Sequence, residues 1–363
     1  MQKKNIITLA ILLGFLTIIF LFILSETTYF KSLYSKNNKN NIPFEIVAEN
    51  LDIPWEIVFL PNGERLVTER PGNLVRIGKN KTVIKMLGVK HVGEGGLLGL
   101  ALHPKFDNNS LIYLYFTSEI NGKTENRVER YEFDLDKNVI KNKKLIIDNI
   151  PGASYHDGGR IAFYDNFLYI TTGDAGNPEL AQDINSLAGK ILRLKEDGSI
   201  PIDNPFNSPV YSYGHRNSQG LAWDNQGRLW ATEHGRSSPS GYDELNLIEK
   251  RKNYGWPEIQ GDEEKQGMEK PIIHSGSVYT WAPAGAVYYN GDIFFTGLRG
   301  EALYQYNINE KTLKEHFKNQ FGRLRAITIN NNSLYVSTSN RDGRGNEKEG
   351  DDKIIKIRLS GFY

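Results

Sequence analysis

Short apolar stretches recur along most of this chain, each rich in β-branched or aromatic residues and closed by Gly, Asn or Asp. Six of them share one form, an apolar run ending in Thr: Arg65-Leu-Val-Thr, Ile112-Tyr-Leu-Tyr-Phe-Thr, Leu168-Tyr-Ile-Thr-Thr, Leu229-Trp-Ala-Thr, Ile293-Phe-Phe-Thr and Leu334-Tyr-Val-Ser-Thr. A second short run follows each after a loop: Asn73-Leu-Val-Arg-Ile, Arg127-Val-Glu-Arg-Tyr, Lys190-Ile-Leu-Arg-Leu, Glu244-Leu-Asn-Leu-Ile, Ala302-Leu-Tyr-Gln-Tyr and Lys353-Ile-Ile-Lys-Ile. Runs of this length and composition are strands, and no amphipathic helix of ordinary length is legible beyond Phe44. The units recur at about 40 to 65 residues, the spacing of propeller blades or somewhat above it. One four-stranded sheet cannot bury both of its faces, whereas radial packing of several sheets can. The expected fold is therefore all-β, a six-bladed β-propeller spanning residues 44–363. A β-sandwich is the competitor, but this length of β-structure is too great for one. The uneven spacing places long insertions after the third, fourth and fifth units, and loops gathered on one face would hold a site.

The N-terminus breaks the pattern. Lys3 and Lys4 precede an apolar run from Ile6 to Leu24 interrupted only by Thr8, Gly14 and Thr17. A helix crossing a bilayer needs about 20 apolar residues, which this run just reaches. Residues 1–25 are read as a transmembrane helix that anchors the chain, with the Lys pair inside and the body exported. The exit Ile23-Leu-Ser-Glu-Thr is a poor cleavage site, so secretion after signal cleavage is the alternative. Residues 26–43, with the Asn/Lys-rich stretch from Lys31 to Asn41, read as a flexible stalk.

Composition changes this picture little. Hydrophobic residues make up 39% and charged residues 24% of the 363, and the formal net charge is +1. No global field recruits nucleic acid. Cysteine is absent, which removes disulfides, thiolate metal sites, cysteine nucleophiles and a lipoprotein attachment point. The segment Gly93-Glu-Gly-Gly-Leu-Leu-Gly99 puts Leu98 where a dinucleotide fingerprint needs its third glycine, and no helix follows. No phosphate-cradling loop, zinc helix or helical-hand calcium loop is present.

Candidate chemistry lies in glycine-bounded polar segments. In Tyr155-His-Asp-Gly-Gly-Arg160, His156 could be presented as a base near neutral pH, or it could be a hydrogen-bonded turn residue. Gly214-His-Arg-Asn-Ser218 offers Arg216 and Asn217, a cation and an amide suited to a developing oxyanion, or else a structural Arg across a blade closure. In Glu233-His-Gly-Arg236 a glycine turn can aim carbonyls inward, where they suit Ca²⁺. Arg323 and Arg325 alternate along a strand and so point to one side, a fit for a multiply carboxylated ligand or a solvated edge.

Taken in order, Leu51-Asp-Ile-Pro-Trp-Glu, Gly93-Glu-Gly-Gly-Leu-Leu-Gly-Leu-Ala-Leu-His-Pro, His156-Asp-Gly-Gly-Arg-Ile, Ser186-Leu-Ala-Gly-Lys-Ile-Leu-Arg, Gly214-His-Arg-Asn-Ser-Gln-Gly-Leu-Ala and Asp243-Glu-Leu-Asn-Leu-Ile with Asn253-Tyr-Gly-Trp-Pro resemble the soluble glucose/sorbosone and aldose sugar dehydrogenases. These are six-bladed propellers that use pyrroloquinoline quinone (PQQ) and Ca²⁺. The resemblance runs from about Phe44 to the C-terminus. It implies an aldose oxidised at its anomeric carbon to a lactone, with electrons passed on to a quinone or a redox protein. It further implies that His156 is the general base and that Arg216 and Asn217 contact the quinone. The carbonyls of Gly235 and Arg236 would bind Ca²⁺, while Arg323, Arg325 and Arg299 would meet the PQQ carboxylates. Glu94 and Trp281 would stand at cofactor or substrate contacts. Some relatives carry Pro in place of Arg236, and Tyr155 replaces an acidic neighbour of the base found in some members. Two other readings of the architecture stand beside this one: a propeller that binds a glycan or protein without redox chemistry, and a Ca²⁺-dependent lactonase.

Overall fold

The computed structural model describes Thr17, Leu33 and residues 42–236 and 241–363. The N-terminal apolar run and the stalk thus lie almost entirely outside the described residues. Among the described residues no helix is long and apolar enough to cross a membrane.

The described chain folds into six four-stranded antiparallel sheets. Strand β1, Phe44–Ala48, stands apart from the strands that follow it. Blade I holds β2 (Pro54–Phe59), β3 (Arg65–Glu69), β4 (Asn73–Ile77) and β5 (Lys81–Lys85). Blade II holds β6 (Leu97–Leu102), β7 (Leu111–Ile120), β8 (Lys123–Asp134) and β9 (Val139–Pro151). Blade III holds β10 (Ile161–Tyr164), β11 (Phe167–Thr171), β12 (Lys190–Lys195) and β13 (Val210–Tyr213). Blade IV holds β14 (Ser218–Trp223), β15 (Leu229–Glu233), β16 (Glu244–Ile248) and β17 (Ile273–His274). Blade V holds β18 (Pro283–Tyr289), β19 (Asp292–Gly297), β20 (Ala302–Asn307) and β21 (Thr312–His316). Blade VI holds β22 (Leu324–Asn330), β23 (Ser333–Thr338) and β24 (Ile354–Arg358), and β1 returns to complete it by pairing Phe44 with Ile357 and Ala48 with Ile354.

The six Thr-ended runs are the second strands of the blades, and the runs that follow them are the third. These are legible because they are buried on both faces: β11, β15 and β19 are almost wholly inaccessible to water. Their apolar side chains meet between neighbouring blades. Leu98, Tyr113 and Tyr115 of blade II pack with Ile161, Ile170 and Leu192 of blade III, and comparable clusters occupy the other inter-blade gaps. The core is therefore a ring of interfaces.

The innermost strands β2, β6, β10, β14, β18 and β22 pack on one another in turn around a central channel. One mouth of it is a small cavity of about 230 Å³ that takes Ile57, Leu100, Ile161, Leu221, Ala286 and Ile327 from the six blades. Deeper in, the buried Glu56–Arg160 ion pair lies against Trp55, with the Arg160 guanidinium 4.2 Å from the indole centroid. Toward the opposite mouth the inner strands of blades I, II, IV, V and VI carry a bulge near their start. A bulge re-aims side chains out of strict alternation.

The loops differ from expectation at blade V. Its second and third strands are joined by residues 298–301 alone, whereas blade VI, where no insertion is expected, has the long connection 339–353. Long connections do follow the second strands of blades III and IV, over 172–189 and 234–243.

Candidate active site

The loops that precede the inner strands, and those joining second to third strands, gather at one end of the channel. They enclose a cavity of about 890 Å³. His156, Glu94, Arg216, Gly235, Arg236, Arg299, Arg323 and Arg325 all line it, although they come from five blades.

His156 sits in the link between blades II and III with a left-handed backbone, φ +60°. That conformation costs a non-glycine residue energy, and the surroundings supply the restraint. The His156 N–H donates to Glu94 Oε2 at 3.0 Å, and its carbonyl accepts from Ala175 N at 3.2 Å. Gly173 lies directly against that carbonyl, so a Cβ there would collide with it. On the ring, Nδ1 stands 2.8 Å from Asp174 Oδ1. Asp174 is 1% exposed and also accepts from Gly176 N at 2.8 Å and from Trp256 Nε1 at 2.9 Å. A carboxylate surrounded by donors carries no proton of its own, so the imidazole proton resides on Nδ1. The lone pair of Nε2 is thereby left to the cavity.

Lys190 secures the loop that brings Asp174 here. Its buried ammonium donates to the carbonyls of Leu180, Ala181 and Ala188 at 2.8, 3.0 and 2.5 Å, closing 172–189 on itself. Burial pushes this lysine down to about 7.

Glu94 bridges two parts of the cavity rim. Oε2 holds the His156 N–H, and Oε1 accepts from Arg344 of blade VI at 2.6 Å. Burial acts to raise this carboxyl, but the neighbouring His234, the His156 N–H and Arg344 outweigh it and hold it down at about 2.

Across the cavity, Arg323 Nε and Nη2 donate to Asp342 Oδ2 at 2.9 and 2.8 Å. Arg325 reaches the same oxygen at 3.8 Å and also donates to Gln219 Oε1 and Ser339 Oγ, each at 3.2 Å. One carboxylate thus serves two guanidinium groups, with Arg70 packed nearby. Burial, with Arg70 beside it, pushes Arg325 down to about 9. Arg299 is exposed in the cavity wall and makes no ion pair among the described residues.

Asn217 is fully buried behind this wall. Its Oδ1 accepts from Gly158 N at 3.0 Å, and Nδ2 has no partner among the described residues. His234 Nε2 is likewise buried and unpartnered, and burial pushes that imidazole down to about 4, leaving it neutral near pH 7. Asp243 fixes the neighbouring turn by accepting from Gly235 N, Thr280 Oγ1, Trp281 N and Ala282 N at 2.9, 2.7, 2.6 and 2.8 Å. Among the described residues nothing hydrogen-bonds to the carbonyl oxygens of Gly235 or Arg236. No cluster of three or more His, Asp or Glu among the described residues could hold a metal. Any ion here would depend on carbonyl oxygens and on the bound ligand itself.

Trp281 does not behave as expected. Its indole is 1% exposed and packs 5.4 Å from Phe295 and 5.6 Å from Tyr304, inside the blade IV–V core. The strand entry points the side chain inward, and its neighbours Thr280 and Ala282 meet the cavity instead. Asp174, Asp342, Arg344 and Asp243 are the functional groups absent from the sequence-based set. Three of them share a signal: each lies a few residues beyond a Thr-ended second strand, where the repeat places its loops on the cavity face.

Residues 51–350 match the family model described as Glucose / Sorbosone dehydrogenase. The chain belongs to the glucose/sorbosone dehydrogenase family. A curated relative named aldose sugar dehydrogenase, from Escherichia coli, is 35% identical over 69% of this chain and 74% of its own. Quinoprotein glucose dehydrogenase B of Acinetobacter calcoaceticus is 31% identical over 73% of this chain, a match that spans 63% of that protein. Among solved structures, the PQQ-bound form of aldose sugar dehydrogenase from Streptomyces coelicolor is 37% identical, covers 89% of this chain and 99% of its own, and superposes with a TM-score of 0.81. In this glucose/sorbosone dehydrogenase the cavity fits such a cofactor on its own evidence. The cation excess around Asp342 suits a multiply carboxylated ring system, and the buried His234 Nε2 belongs to a cavity-lining residue and is a polar group that a ligand could satisfy.

Proposed function

We propose that this protein oxidises aldoses at the anomeric carbon to lactones, using PQQ held with Ca²⁺. The observation that carries this reading is the His156–Asp174 pair, which presents Nε2 to a cavity whose far wall is a guanidinium cluster.

Arg323, Arg325 and Arg299 would hold the cofactor carboxylates, Asn217 and Arg216 its polar ring edge, and the Gly235 and Arg236 carbonyls the ion. Bound there, PQQ supplies the two-electron acceptor for the hydride leaving C1. His156 Nε2 takes the proton of the anomeric hydroxyl as that C1–H bond breaks and the carbonyl of the lactone forms. The resulting imidazolium is stabilised by Asp174, which stays ionised and holds the ring by Nδ1. Glu94 fixes the His156 backbone through its N–H, and Arg344 fixes Glu94.

The stretch 6–24 supports an exported body tethered to a membrane, and the electrons then pass to a quinone or a redox protein. The test uses the full chain in detergent, loaded with PQQ and Ca²⁺, with a dye acceptor and a panel of aldoses. Sugar-dependent dye reduction that disappears in His156→Ala is expected. A folded protein that takes up no PQQ in saturating Ca²⁺ would sink the proposal.

A further inference from the structure

The cavity wall carries six guanidinium groups, those of Arg216, Arg236, Arg299, Arg323, Arg325 and Arg344, against the carboxylates of Glu94 and Asp243. On the aldose reading above, five of the six have occupations. Arg299, Arg323 and Arg325 face the cofactor carboxylates from blades V and VI, and Arg344 is paired with Glu94. Arg216 is buried, lies over the Trp256 indole with its guanidinium 5.2 Å from the ring centroid, and is given to the quinone edge.

Arg236 remains. Its side chain is exposed in the cavity wall and makes no ion pair among the described residues. Two acids of the same region are engaged elsewhere: the Asp243 bonds go to the turn it organises, and Asp174 is filled by His156, Gly176 and Trp256. What holds Arg236 is a stacking contact and one long hydrogen bond. The guanidinium lies 5.5 Å from the Trp256 centroid, and Nη2 is 3.4 Å from Pro257 O. The same indole is tied through Nε1 to Asp174, and Asp174 to His156. The unpaired cation is thus placed in fixed register with the base, on a wall of the cavity that the cofactor carboxylates do not claim.

We propose that Arg236 reads a negative group on the substrate and that the preferred substrates are anionic aldoses. A hexuronic acid carries its carboxylate, and an aldose 6-phosphate its phosphate, at the end of the molecule remote from the anomeric carbon that His156 must reach. A guanidinium binds either one by charge-assisted hydrogen bonds, and bidentate geometry adds selectivity over a hydroxymethyl group.

The experiment compares kcat/KM for glucuronate, glucose 6-phosphate, glucose and glucosamine on the full chain loaded with PQQ and Ca²⁺. Saturation-transfer NMR measures binding of the same four compounds to the Ca²⁺-loaded, cofactor-free chain. An anionic sugar is expected to exceed glucose by about tenfold at low ionic strength, and the advantage shrinks in salt. In Arg236→Gln the anion-to-glucose ratio collapses toward one whatever the overall rate. Arg236→Lys retains part of it, and Arg236→Glu moves the preference to glucosamine. A preference for glucuronate alone, or for the phosphate alone, supports the inference and names the anion. Glucose turnover with no preference for either anion overturns it and leaves the dehydrogenase reading intact. If no sugar is turned over, that reading fails, and the NMR ratio in wild type and Arg236→Gln decides the role of Arg236 by itself.

Discussion

The two walls of the cavity treat charge in opposite ways. On the side of blades II to IV every group around His156 has a partner of matched polarity: the imidazole N–H meets Asp174, the backbone N–H meets Glu94, and Asp174 meets two further donors. On the side of blades V and VI, Arg323 and Arg325 share one Asp342 oxygen, and Arg299 has no carboxylate partner among the described residues. The groups that hold His156 on the first wall are satisfied without a ligand, as a proton-handling site must be if its tautomer is to be fixed beforehand. The second is incomplete and carries its cost in the cofactor-free protein, a cost that an anionic ligand relieves on binding.

The sharpest way to break this contrast is at the base. His156→Ala should lower kcat by roughly 10³-fold or more with PQQ affinity little changed, as read by turnover alongside cofactor titration. Asp174→Asn should lower kcat by about 10²-fold or more while the protein stays folded, because an amide can reverse the tautomer and move the proton to Nε2. A pH–rate profile would show the loss persisting at alkaline pH, where a simple shift of the base would recover. The cationic wall should answer in the other direction. Arg325→Met should weaken PQQ binding by about tenfold to a hundredfold, yet leave the cofactor-free protein as stable as before or more so, as followed by fluorescence titration and thermal unfolding. If Met destabilised the empty protein strongly, Arg325 would belong with the completed wall.

Glu94 tests the matched side at acid pH. Its folded-state carboxyl is held at about 2, below the ordinary carboxylate value of about 4.3 that it has when unfolded. A group depressed in this way adds stability above its unfolded value, and that stability fades as pH falls from about 4.5 toward 2. Glu94→Gln should therefore flatten the acid limb of the stability curve by on the order of 2 kcal/mol in chemical denaturation. The smallest effect is expected for Arg344→Ala, whose partner pair is half-exposed. It should change stability by less than about 1 kcal/mol and kcat by a few fold at most.

The sequence shows the second and third strands of each blade because burial on both faces leaves an apolar signature that needs no partner to be seen. It hides the rest for physical reasons. Outer strands such as Lys81–Lys85 alternate exposed residues, Val83 among them, with half-buried ones, and β17 is two residues long. The pairing of Phe44–Ala48 with Ile354–Arg358 joins opposite ends of the chain, and local pattern carries no trace of it. In the site, His156, the Arg216–Asn217 pair and the Arg323–Arg325 pair stand out as polar residues between glycines or in alternation. Asp174 and Asp342 are single acids in polar loops, and only the fold shows which cation each one faces. Trp281 illustrates the converse, because its neighbours reach the cavity while the direction of one side chain sends the indole into the core.

The junction of β1 with β24 also governs when the molecule can exist. A nascent chain emerging past residue 330 has five blades and no means of sealing the sixth, because β1 waits at the far end of the polypeptide for a partner made last. Until Ile354–Arg358 is delivered, both flanks of the gap present unpaired strand edges, the surfaces most prone to capture by other chains. Closure over so long a loop is slow relative to hairpin formation. Completion of the ring thus waits on residues 354–358, and a stop before them would yield an open ring rather than a slightly smaller enzyme.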